Sequence, residues 1–128
     1  TRMHIARIFS AQIAGDVHPG LRSLLQPTNR KFMQSWVKYD PAAEIAKVKV
    51  PVLIIQGLRD IQVSEADARA LKAAKPAAKL VLIPAANHVY RATTTDDRLV
   101  QAKLYTDPTI PVVSELVPAI AEWVNNLK

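Results

Sequence analysis

Pro51-Val52-Leu53-Ile54-Ile55-Gln56-Gly57-Leu58-Arg59-Asp60 and Lys79-Leu80-Val81-Leu82-Ile83-Pro84-Ala85-Ala86-Asn87-His88 are the two stretches on which the reading of this chain turns. Each contains a short apolar run and ends in a loop that carries, Arg59 apart, one ionisable group, Asp60 in the first and His88 in the second. Val50 to Gln56 is apolar almost without a break, which suits a strand buried on both faces of a parallel sheet. Pro51 is tolerable only near the strand start, and Gly57 ends the run. Ser64-Glu65-Ala66-Asp67 has the form of a capping box with an acidic first turn. The spacing predicts a helix from there to about Lys75, with Ala66, Ala70, Leu71 and Ala74 on one face. Lys72 and Lys75 suit the negative end of its dipole, and Pro76 stops it. A second strand is predicted over Leu80 to Ile83. Residues 50–84 thus read as a β-α-β unit, whose crossover makes the strands parallel. Ligands of such sheets lie beyond the carboxyl ends of the strands, where Asp60 and His88 both fall.

Outward from this unit the pattern changes on both sides. Residues 89–113 are polar and turn-rich, with Thr93-Thr94-Thr95-Asp96-Asp97 and then Asp107-Pro108, and read as a loop with one helical turn near 97–104. A last helix follows, capped by Ser114, with Leu116, Ile120, Trp123, Val124 and Leu127 as its apolar stripe and Pro118 in its first turn. Upstream the chain reads as all-helical. An amphipathic helix is predicted over 1–14 and is broken by Gly15-Asp16 and Pro19-Gly20. Shorter helices are predicted over 20–26 and 28–38, the latter capped by Thr28. Asp40-Pro41 fits a cap followed by proline at the first helical position, opening a helix over 41–46. The fold class is therefore α/β: a helical segment over 1–47, then a β-α-β-α unit with parallel strands over 48–128.

The totals narrow the chemistry. With 128 residues, 49% hydrophobic and 22% charged, the chain has enough material for one modest core. It has no cysteine, which excludes disulfides, thiolate metal sites and a cysteine nucleophile within these residues. No apolar run approaches the roughly 18 residues of a membrane helix, and no apolar signal core is present near the start. The chain opens on Thr1 and not on methionine, as an excised piece of a longer protein would. The net charge of +6 is concentrated in residues 1–50, which hold eight Lys and Arg against three acids. Those bases are scattered (Arg2, Arg7, Arg22, Arg30, Lys31, Lys38, Lys47, Lys49), with Arg30-Lys31 the one adjacent pair and no longer run or aromatic ladder. They read as a solvated face and not as a nucleic-acid site. The three histidines show no metal-ligand spacing, and no glycine-rich phosphate loop exists, so neither a metal nor a cofactor is expected.

An acid behind a strand and a glycine commonly caps a turn, and a lone histidine is commonly structural. Adjacent parallel strands, however, bring their carboxyl-end loops within side-chain reach. In nucleophilic catalysis the imidazole base is held in one tautomer by an acceptor on its far nitrogen. Asp60 is placed to do this for His88, and the two are the candidate catalytic residues. His4 and His18 read as surface residues, and Asp96-Asp97 as a solvated pair. Arg59 and Arg91, flanking the two loops, read as exposed charge, with an anionic substrate group as the alternative.

Val50 to Asp60, followed after a helix by Lys79 to His88, resembles the end of an α/β-hydrolase domain. In that family the triad acid follows the seventh strand and the histidine follows the eighth, in the order nucleophile, acid, histidine. Gly57-Leu58-Arg59-Asp60 is similar to the family's G-x-x-D acid turn, and Asn87-His88 to its histidine loop. Ser35-Trp36-Val37-Lys38-Tyr39-Asp40-Pro41-Ala42 resembles the same region of bacterial serine hydrolases of the aminopeptidase-like group. The resemblance covers residues 48–128 best and implies that the residues before them are a cap or lid. It further implies hydrolysis of a small ester, thioester or amide, with Asp60 as orienter and His88 as general base.

One departure stands out. The family's nucleophile elbow, G-x-S-x-G, is absent: Ser10, Ser23, Ser35, Ser64 and Ser114 lack the flanking glycines, and the chain has only Gly15, Gly20 and Gly57. The resemblance thus implies the C-terminal part of a hydrolase, inactive alone, with nucleophile and oxyanion hole on another segment. It leaves open whether that nucleophile is a serine or an aspartate, because relatives that use aspartate keep the same acid and histidine positions. The alternative expectation is a non-catalytic interaction module. Two parallel strands leave two open edges, to be covered by a homo-oligomeric partner or by a further segment of the same protein.

Overall fold

The computed structural model describes residues 26–36 and 38–127. The helix expected over 1–14 and all but Gln26 of the one expected over 20–26, with His4 and His18, lie outside the described residues. The chain divides into two compact units, Thr1–Glu44 and Ile45–Lys128.

In the first unit a 3-10 turn, Pro27–Asn29, leads into helix α1, Arg30–Trp36. Thr28 is not its cap. Pro27, with φ already fixed near the helical value and no N–H to satisfy, starts the turn one residue earlier, and Asn29 N–H closes it on Gln26 O at 2.9 Å. Helix α2, Pro41–Lys47, starts in the first unit and ends in the second, and it begins as expected: Asp40 Oδ1 accepts from Ala42 N–H at 3.1 Å and Ala43 N–H at 3.5 Å.

The second unit holds a parallel two-stranded sheet of mixed α/β type. Strand β1, Leu53–Gly57, pairs with β2, Lys79–Ile83, from Leu53 opposite Lys79 to Gly57 opposite Ile83. Between them runs α3, Glu65–Ala74. Its capping box is complete: Ser64 Oγ accepts from Asp67 N–H, and Asp67 Oδ2 accepts from Ser64 N–H at 3.0 Å. Alternation along the strands sends side chains to two cores. Ile54 joins Ala68 and Ala78, with Ile45, Val52, Leu71 and Leu80 packed around them. On the other face Ile83, Ala86 and Val113 are packed with Ile55, Val81, Tyr90 and Leu116.

The helix face toward the sheet differs from the expected one. Ala68 is buried, whereas Ala66 and Ala70 are exposed. Ala68 packs with the equally small Ala78, and that close packing sets the rotation of the helix. The same rotation half-buries the stems of Lys72 and Lys75. Their ammonium groups then reach backbone carbonyls, Lys72 those of Pro76 and Ala78, and Lys75 that of Val48 at 2.7 Å.

Beyond β2, helix α4 spans Arg98–Thr106 and α5 spans Leu116–Asn125. Helix α4 is longer than the single turn expected. Asp97, read as half of a solvated pair, caps it by accepting from Leu99 and Val100 N–H, both at 2.9 Å. Ser114 does not cap α5. Glu115 already has helical dihedrals there, and the Ser114 hydroxyl bonds to the Glu115 carboxylate at 3.0 Å. Pro118 falls in the first turn as expected. The apolar stripe is only partly used: Leu116 and Trp123 are half-buried, while Ile120, Val124 and Leu127 are exposed together with Val117.

Candidate active site

The loops behind β1 and β2 are joined by backbone hydrogen bonds before any side chain is considered. Leu58 N–H donates to Ile83 O and Arg59 N–H to Ala86 O, each at 3.0 Å. Gly57 makes this approach possible, since a Cβ there would lie 2.3 Å from the carbonyl oxygen of Ala86. The glycine that ends the strand is thus also the point where one loop crosses the other.

Asp60 is held firmly. Its side chain is 7% exposed, and Oδ1 accepts from Gln62 N–H at 2.7 Å and Val63 N–H at 3.0 Å. Oδ2 lies 2.9 Å from His88 Nδ1. Burial pushes the Asp60 carboxyl up, but the Val63 amide, His88 and the Gln62 amide outweigh it, so the group lies below its usual value and is ionised at neutral pH. An ionised carboxylate only accepts, so the bond places the proton of a neutral imidazole on Nδ1 and leaves a lone pair on Nε2.

Asn87 holds His88 in place. It is buried, and its Oδ1 accepts from Val89 N–H at 3.1 Å and Arg91 N–H at 2.9 Å. Its own backbone bonds Arg91 O and Tyr90 N–H, each at 3.0 Å. His88 therefore sits in a closed turn, with its side chain 38% exposed. Tyr90 in the same turn has φ of 58°, a left-handed conformation that costs a non-glycine residue roughly 1–2 kcal/mol. Its ring is packed in the second core and its hydroxyl donates to Ile55 O at 3.0 Å, which fixes the turn to the middle of β1. Burial, and then the charge of Asp60, push the Tyr90 phenol above its usual value, so it remains a neutral donor.

Three further groups complete the surroundings, and none stands out in the sequence. Gln56, the one polar side chain in β1, is buried with its Nε2 turned into the acid loop. Gln101 on α4, fully buried, donates from Nε2 to Arg59 O at 2.9 Å and Thr95 O at 2.8 Å. Tyr105 places its ring 6.4 Å from that of His88, and its hydroxyl accepts from Gln62 Nε2 at 3.2 Å. The lone amide in an apolar strand was the one available signal. Of the two flanking arginines, Arg59 lies on the surface 3.5 Å from Asp96, and Arg91 is half-buried. No described helix is long and apolar enough to cross a membrane, and no cluster among the described residues could hold a metal ion.

The fold and the site define an acid–imidazole pair at the carboxyl edge of two parallel strands. No protein-family model, no characterised protein and no solved structure matches this chain.

Proposed function

We propose that this chain is the C-terminal part of a serine-type α/β hydrolase that cleaves a small ester, thioester or amide. His88 is the general base and Asp60 its orienter; the nucleophile is supplied by a segment outside these 128 residues. The observation that carries the reading is the 2.9 Å bond from Asp60 Oδ2 to His88 Nδ1 at the carboxyl ends of two parallel strands. The Nε2 lone pair of the part-exposed imidazole then takes the proton of an attacking hydroxyl and returns it to the leaving group. Such a pair accelerates nothing without a group to deprotonate, so activity requires the other segment. A serine-directed fluorophosphonate probe tests this. It labels the longer parent protein and not this chain; labelling of this chain overturns the reading.

A second reading, a non-catalytic module that self-associates, is favoured by one observation. Val117, Ile120 and Val124 on α5, with Leu127 in the turn just beyond it, are spaced 3, 4 and 3 residues apart and are 64%, 41%, 49% and 47% exposed. Apolar residues at that spacing form a seam that associating helices bury. Light scattering over a concentration series decides it: a folded chain that stays monomeric at high concentration excludes this reading.

A further inference from the structure

Gln56 is out of character with its strand. Leu53, Ile54 and Ile55 before it are apolar, and burying an amide among them costs desolvation that an apolar side chain would avoid. The loop after β1 explains it. Gln56 Nε2 donates to Gly57 O at 2.8 Å and to Val63 O at 3.1 Å, and lies 3.4 Å from Asp60 Oδ2. These acceptors are the last residue of β1, the last residue of the acid loop, and the carboxylate between them. An amide nitrogen has two hydrogens. The two carbonyls engage both, and Asp60 Oδ2 shares one of them at longer range. Val63, held by its carbonyl, is also a residue whose N–H binds Asp60 Oδ1 at 3.0 Å.

We infer that Gln56 is a positioning residue for the Asp60–His88 pair: its amide braces the acid loop from within and so presents Asp60 Oδ2 to the imidazole. The inference rests on the pairing of Asp60 with His88 in the proposed function, and it adds the group that holds that pairing in register. Gln56 itself touches neither the imidazole nor any reacting atom. It acts by restricting where the carboxylate can sit.

The experiment is nitrogen-detected NMR of the His88 ring in the full chain, at a pH where the imidazole is neutral, with His88→Gln to assign the signals. Wild-type His88 carries its proton on Nδ1. In Gln56→Leu the ratio of the Nδ1–H to the Nε2–H tautomer falls about tenfold, the order of effect of losing a hydrogen bond to a charged group. Leu80→Ala loosens the core around Ile54 without touching the acid loop, and leaves the ratio unchanged. A folded Gln56→Leu with the wild-type ratio overturns the inference and leaves the Asp60–His88 pair standing. A wild-type His88 protonated on Nε2 overturns the pair itself, and the inference with it. Should Gln56→Leu not fold, the wild-type protein still decides: the Gln56 side-chain amide protons exchange at least about tenfold more slowly than those of a free glutamine amide, and equal exchange overturns the brace.

Discussion

The β1–α3–β2 segment and the segment from Pro84 to Val113 belong to the same compact unit, yet they are held by different forces. The first is built from apolar side chains in regular elements, with Ile54, Ala68 and Ala78 buried together and Gln56 as the one buried polar residue of its strands and helix. The second has little regular structure before α4 and is organised by two buried amides and one exposed carboxylate that bind backbone: Asn87 across its own turn, Gln101 to Arg59 and Thr95, Asp97 at the start of α4. The candidate site takes its acid from the loop between β1 and α3 of the first segment and its histidine from the second. Burial of apolar surface tolerates small shifts, because it is not directional. Hydrogen bonds to fixed backbone groups do not tolerate them. A residue that must sit 2.9 Å from a carboxylate is therefore set in the part of the chain built from directional bonds.

This contrast makes the two segments respond differently to substitution. The largest effect belongs to the junction. Gly57→Ala forces a methyl against the Ala86 carbonyl, and urea denaturation shows a loss of about 3 kcal/mol or more. A cost of a few tenths would mean that the two loops are not locked together there. Close behind comes Ile83→Ala, which empties a fully buried site and lowers stability by about 3 kcal/mol. Asn87→Ala removes less volume but strips two backbone N–H groups of their acceptor. A loss of about 2 kcal/mol is expected, with faster amide exchange confined to residues 87–91. If exchange rises evenly through both segments, the separation into apolar and hydrogen-bonded halves is wrong. Asp97→Ala costs about 1 kcal/mol and frays the start of α4, as read by helical NMR shifts at Leu99 and Val100.

The smallest effect is in acid. Asp60 has a folded-state pKa below its unfolded value of 3.8, so it contributes stability that is complete above that value. That contribution is lost as the pH falls through the lower folded value. Wild-type stability therefore declines more steeply below about pH 4 than that of Asp60→Asn. Parallel pH profiles would show that the Gln62 and Val63 amides do not favour the charged form.

The parts legible in the sequence were those whose causes are local. The capping box at Ser64 and Asp67, the cap at Asp40 and the strand ends at Gly57 and Ile83 all follow from residues within a few positions of one another. Other features have causes that lie far away in sequence. Ala68 faces the sheet in place of Ala66 and Ala70 because it packs with Ala78. Helix α4 runs past a single turn, and its fully buried Gln101 finds its partner at Arg59, 42 residues earlier. Ser114 is a local cue that misled, because the backbone at Glu115 is already helical when it enters α5.

Asp60 and His88 stand out in the sequence because one is the acid and the other the imidazole of loops that close two predicted parallel strands. Strand order and direction then carry both to one edge of the sheet. That much is decided by hydrophobic pattern and turn residues, which act over short stretches. The bond between them, the amide of Gln56 behind the carboxylate, and the left-handed Tyr90 tied to Ile55 were decided only by tertiary structure. Each depends on two chain segments arriving within a few tenths of an ångström of a set separation, and no local pattern encodes a distance of that kind.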